Sequence, residues 1–150
     1  MHKFLPTVFI FADKFSNQIF KNNNTNIGII YRNYLSKKRE HELIKIAKLC
    51  KKKKFKLYVS NSSKLALKVK ADGIYIPSFN KTKNFSNLEK RNIKIIGSAH
   101  NQKEIYKKKL QNCKIVFLSP LFNVKKSKTF LGLHKFNYLS FANKIEILPL

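Results

Sequence analysis

The chain has no tryptophan, one methionine, two cysteines, four glycines and four prolines in 150 residues, and only seven acidic side chains. Two isolated thiols, Cys50 and Cys113, have neither metal-ligand spacing nor the even framework of a disulfide-stapled scaffold. They fit buried small hydrophobes in a reducing compartment, so the cytoplasm is the expected location. No apolar run approaches the length of a membrane span. The start faintly resembles a signal peptide, but Pro6 interrupts it and Asp13 follows directly, so a first core strand accounts for it better.

What is abundant is lysine. The 32 basic residues against 7 acidic ones give a net charge of +25, and only Arg32, Arg39 and Arg91 are arginine. Such a field attracts nucleic acid, anionic surfaces and phosphorylated metabolites. Lysine, asparagine, isoleucine and phenylalanine are all common while glycine and proline are scarce, as an A/T-rich coding bias produces. Most of the charge is therefore read as solvated helix faces, with nucleic acid bound only non-specifically.

With 43% hydrophobic residues the chain can bury one ordinary core, so a single domain over residues 1–150 is expected. Apolar runs at residues 7–12, 27–31, 55–59, 73–76, 93–96, 115–118 and 145–148 make seven candidate strands. Ser36 can cap a helix in which Leu43, Ile44, Ala47 and Cys50 share a face, closed by the lysines at 51–54. Ser62 or Ser63 can cap a shorter helix carrying Leu65, Ala66 and Val69. The link 80–92 is polar and its helix weak. Asn101 and Glu104 have the spacing of a capping box, and the helix they open is expected to bury Ile105, Tyr106 and Leu110. Strands alternating with helices and apolar on both faces imply a parallel α/β sheet, open or barrel-like. In such proteins ligands bind at the C-terminal strand ends, here at Gly97-Ser98-Ala99-His100 and Ser119-Pro120.

Five segments in register resemble the thiamine-phosphate synthase and thiazole tautomerase family. Ala71-Asp72-Gly73-Ile74-Tyr75-Ile76 is similar to its Ala-Asp-Gly-Val-His-Leu, and Gly97-Ser98-Ala99-His100 to its Gly-x-Ser-x-His strand end. Ser119-Pro120-Leu121-Phe122, Ser127-Lys128 and Leu131-Gly132-Leu133 resemble its Pro-x-Phe, Thr-Lys and Leu-Gly segment. Arg32 stands in its arginine motif, and Ser60-Asn61-Ser62 where it has Asn-Asp-Arg. The resemblance implies a (β/α)8 barrel, here incomplete with about seven parallel strands and without the last strand, as a fragment would be. It also implies a transferase of thiamine biosynthesis that joins hydroxymethylpyrimidine diphosphate to thiazole phosphate and expels pyrophosphate.

By that resemblance Arg32, Asn61, Ser98 and Lys128 are the diphosphate contacts, and the loop with Val124 and Ser127 faces the thiazole phosphate. The family uses Mg²⁺, but its two metal carboxylates fall at Ser62 and Asn80, neither of which can balance a dication. The joining reaction is therefore expected to be weakened or dead. The alternatives are a non-catalytic binder of a phosphorylated thiamine precursor and, behind it, a basic nucleic-acid-binding protein resting on the lysines at 51–54 and 107–109. Pro120 stands where the tautomerases have histidine, which argues against that activity. His100 is read as a helix-start or packing residue, and Asp72 as structural. No residue pattern specifies an oligomer.

Overall fold

A computed structural model describes residues 5–21, 26–34, 36–82, 85–125 and 129–150. The chain divides into two compact units, Met1–Tyr75 and Ile76–Leu150.

In the first unit β1 (Val8–Ala12) leads through a 3-10 turn (Asn17–Lys21) to β2 (Ile27–Tyr31), α1 (Arg39–Lys53), β3 (Lys56–Ser60), α2 (Ser63–Lys68) and β4 (Gly73–Ile76), whose last residue opens the second unit. The strands pair in parallel, Ile10 beside Ile29, Ile29 beside Leu57 and Val59 beside Ile74. Every residue of β2 is buried, as a parallel strand covered on both faces must be. Leu43, Ile46 and Cys50 of α1 pack with Ile29, Leu57 and Val59, and Phe20 stacks on Phe55 at 6.1 Å. The expected face of α1 is corrected at one position: Ile44 lies at the exposed margin and Ile46 is buried instead. Ser36 precedes the helix by more than one cap position, and its Oγ accepts from Lys38 N–H. Ser62 is the residue that caps α2, accepting from Leu65 N–H at 3.3 Å. Asp72 is structural, bonding Leu57 N–H and Lys56 Nζ.

In the second unit α3 (Ser86–Glu89), β5 (Lys94–Ala99), α4 (Gln102–Leu110), β6 (Ile115–Leu118), α5 (Gly132–Ala142) and β7 (Glu146–Pro149) follow. β5, β6 and β7 pair in parallel, with Gly97 beside Val116 and Val116 beside Ile147. β5 does not stop at Ile96 as its apolar run suggests, because Ser98 and Ala99 continue the ladder against Phe117 and Leu118. The capping pair at α4 is present, with Asn101 Oδ1 accepting from Glu104 N–H at 3.0 Å while Glu104 reaches back to the His100 N–H at 2.8 Å. Its expected face is wrong. Ile105 is buried, but Tyr106 and Leu110 are exposed, and the second buried side chain of the helix is Lys108.

With glycine scarce, the first four helices all end on a left-handed residue that is not glycine: Lys54, Lys70, Asn92 and Asn112, with φ between 52° and 60°. In each case the following N–H reaches back five residues, Phe55 to Cys50 O, Ala71 to Ala66 O, Ile93 to Leu88 O and Cys113 to Lys108 O. Those four following residues are buried and apolar. This is the Schellman closure, which ties up the last free carbonyls of a helix and drops the chain into the core for the next strand. Both thiols are buried and free, and burial pushes each up to about 12.

Candidate functional site at the C-terminal strand ends

Arg32 follows β2 directly, and its backbone N–H donates to Ala12 O, extending the β1–β2 pairing by one step. This fixes the start of its side chain. The guanidinium forks onto Asp13, Nε to Oδ1 at 3.0 Å and Nη2 to Oδ2 at 3.1 Å, and lies 4.7 Å above the Phe11 ring. Asp13 is 68% exposed, so the pair adds little stability and a stronger anion can take the carboxylate's place. A fork that matches a carboxylate matches a phosphate equally well.

Asn61 follows β3 in the left-handed region at φ 55°, a conformation asparagine tolerates, and its N–H donates to Tyr75 O at 2.9 Å. The surroundings of these two residues hold groups that sequence reasoning did not single out. Tyr34 hydroxyl bonds Ser60 Oγ, and Arg39 donates to the Ser60 carbonyl while stacking over the Tyr34 ring. Burial lowers the Arg39 pKa, and its Nε is buried with no hydrogen-bond partner among the described residues. Tyr31 donates to Glu42 at 2.8 Å, and burial together with that carboxylate pushes the phenol upward. The arginine count was the one signal that pointed toward Arg39; its place on the first turn of a helix hid it.

In the second unit Ser98 is buried near the end of β5. His100 is more than a helix-start residue. Its Nδ1 lies 2.7 Å from Ser119 O and its Nε2 3.1 Å from Ser78 Oγ. A carbonyl only accepts, so Nδ1 carries a proton toward Ser119 O, while Nε2 meets the Ser78 hydroxyl, which can donate or accept. The ring thereby joins the chain ends of three strands, β4, β5 and β6. Val124 is exposed in the loop after β6, and Ser127 and Lys128 lie outside the described residues.

The side chains at the two positions where the resemblance puts metal carboxylates are already engaged. Ser62 Oγ caps α2, and Asn80 Oδ1 accepts from Thr82 N–H at 2.8 Å. Among the described residues no three His, Cys, Asp or Glu side chains gather where a metal ion could sit. A neutral hydroxyl and a neutral amide do not fit a hard dication.

These features define a parallel α/β protein of the barrel class with polar side chains at its C-terminal strand ends, the described residues forming seven strands where a full (β/α)8 barrel has eight. The sequence model of the thiamine monophosphate synthase family matches residues 22–150, and the chain belongs to that family, whose substrates are small phosphorylated molecules of thiamine biosynthesis. Among solved structures it is similar to a thiamine phosphate pyrophosphorylase from Pyrococcus furiosus, 15% identical, with a TM-score of 0.73 over 97% of this chain and 74% of that one. At that identity the likeness shows the fold, an incomplete TIM-type barrel. No curated protein sequence matches the chain. No helix among the described residues is long and apolar enough to cross a membrane.

Proposed function

We propose that the chain binds a phosphorylated thiamine precursor at its C-terminal strand ends and performs the synthase reaction slowly or not at all. The diphosphate contacts are Arg32, Asn61, Ser98 and Lys128, with Val124 and Ser127 toward the thiazole phosphate. The observation that carries this reading is the family match running unbroken over residues 22–150, which also supports treating the chain as one domain. Departure of a diphosphate needs positive charge and fixed donors at the leaving oxygens more than it needs an acid or a base. Arg32 offers a fork of donors, now on Asp13, and Lys128 a point charge.

The metal is the weak part of the reaction. The two neutral side chains at the metal positions, both already hydrogen-bonded, favour binding without metal-assisted catalysis. Reading the chain as a nucleic-acid binder loses support from burial of Lys108, which takes the centre out of the run 107–109.

Titration calorimetry with thiamine phosphate and with pyrophosphate tests the proposal. Replacing Arg32 by Ala should weaken binding by about 1.5–3 kcal/mol, the range for a charge-assisted contact. Unchanged affinity refutes the assignment. Ser62→Asp combined with Asn80→Asp should raise Mg²⁺ dependence above that of the natural chain, where it is expected to be weak or absent, and the first of these keeps the cap on α2, since aspartate caps as well as serine.

A further inference from the structure

Lys108 is 1% exposed, although lysine is almost never fully buried without a partner. Its hydrogen-bond partners are neutral: Nζ donates to Pro77 O at 2.7 Å and to Gln111 Oε1 at 2.9 Å. Gln111 is itself buried, and its Nε2 donates to Asn80 O at 3.0 Å and to Thr82 O at 2.7 Å. One ammonium and one amide therefore hold three carbonyls of a single loop, residues 77–82, and the amide uses its oxygen and both its hydrogens.

The route of the lysine stem depends on Gly97. A Cβ there would stand 2.9 Å from Lys108 Cδ, 2.9 Å from Ile76 O and 3.1 Å from Cys113 Sγ. The glycine of the Gly-Ser-Ala-His segment thus leaves the space through which the lysine passes. The loop so held carries Ser78, which meets His100, and Asn80.

We propose that Lys108 and Gln111, admitted by Gly97, are positioning residues that fix residues 77–82 in the conformation a phosphorylated substrate meets at the end of β4. The substrate-facing half rests on the proposed function; the anchoring half does not. Apolar residues at both positions would spare the desolvation of the ammonium but leave the carbonyls of Pro77, Asn80 and Thr82 without these donors, so what the polar pair supplies is a fixed loop. Burial also lowers the lysine from 10.5 to about 8, and an amine near neutrality donates in either protonation state.

The experiment compares Lys108→Met, Gln111→Met and the double variant by amide hydrogen exchange and by calorimetric titration with thiamine phosphate. Methionine fills irregular space, so the variants should unfold cooperatively. Amides of residues 78–82 should exchange about tenfold faster or more in each single variant, little faster again in the double, and at unchanged rate in β6. The dissociation constant should rise about fivefold or more while Tm stays near wild type. Gln111→Met keeps the lysine and its bond to Pro77, so it decides the matter if Lys108→Met does not fold. Unchanged exchange at 78–82, or loosening spread evenly over the second unit, overturns the anchoring. A loosened loop with an unchanged dissociation constant overturns the substrate-facing half. A loosened loop in a protein whose wild type does not bind thiamine phosphate refutes the functional reading and supports the anchoring.

Discussion

Helices α1 and α4 are both laden with lysine and both cover parallel strands, yet they use lysine in opposite ways. In α1 the buried residues are Leu43, Ile46 and Cys50, and lysines stay outside or close the helix. In α4 only Ile105 follows that rule, and Lys108 takes the next inward place while Tyr106 and Leu110 face out. The difference is one of partners. Carbonyls of Pro77, Asn80 and Thr82 with the Gln111 amide make a polar pocket under α4, and a lysine stem fits where Gly97 leaves room. Hydrophobic periodicity identifies the inward face of a helix only when the surface it meets is apolar throughout.

The contrast can be broken most forcefully at the two apolar faces. Leu43→Ala should cost about 2–5 kcal/mol, whereas Tyr106→Ala, at a site the sequence pattern would equally have placed in the core, should stay within about 0.5 kcal/mol. Urea denaturation measures both, and comparable losses would show that α4 packs on Tyr106 after all. Next in size is Gly97→Ala, which sets a methyl against the Ile76 carbonyl and the lysine stem and should cost about 1–3 kcal/mol. Combined with Lys108→Ala that cost should shrink, because one of the obstructing groups is gone, and the difference from additivity reads their contact directly.

A smaller effect sharpens the comparison through pH. Lys108 is lowered from 10.5 to about 8 by burial, opposed weakly by Cys113 and Glu104 and aided by Lys107. Between those values the unfolded chain binds the extra proton, so stability rises as pH climbs from about 8 toward 10.5. Cys50 and Cys113 act oppositely: raised from 9.0 to about 12, they contribute stability that is whole below 9 and lost as pH rises through 12. Stability should therefore increase from pH 8 to 9 and turn down above it. Lys108→Met should remove the increase and keep the decline, as chemical denaturation at a series of pH values would record.

The sheet was legible because parallel strands covered on both faces need unbroken apolar runs. Residues 27–31, 73–76 and 115–118 stand as read, and the others shift at their ends where pairing, rather than hydrophobicity, decides the last residue. Ser98 and Ala99 are such a case, since only the neighbouring strand shows that they belong to the ladder. Helix α5 escaped notice because Leu139 is its one buried residue while Leu133, Tyr138 and Phe141 are exposed, which erases the period. At the candidate site, the apolar runs 27–31 and 55–59 put Arg32 and Asn61 just beyond strand ends, and the family resemblance singled them out there. The Asp13 partner, the Ser78–His100–Ser119 chain and the Lys108–Gln111 anchor could not, because each joins residues 19 or more positions apart, or runs through backbone carbonyls that every residue carries alike.

The left-handed closures of the first four helices carry a consequence at the level of the gene. Glycine is the residue that backbone sterics favour at φ near 55°, and all its codons begin with two guanines. Lysine and asparagine each have a codon made of adenine and thymine alone. A drift of nucleotide composition toward A and T thus becomes conformational strain at Lys54, Lys70, Asn92 and Asn112, the ends of the first four helices. The strain is recoverable. Lys54→Gly and Lys70→Gly should each stabilise the fold by up to about 1 kcal/mol, and the asparagine sites by less, since asparagine already tolerates the region. Thermal unfolding of the four single variants would rank them, and a genome free to use guanine could gain that stability without changing one core contact.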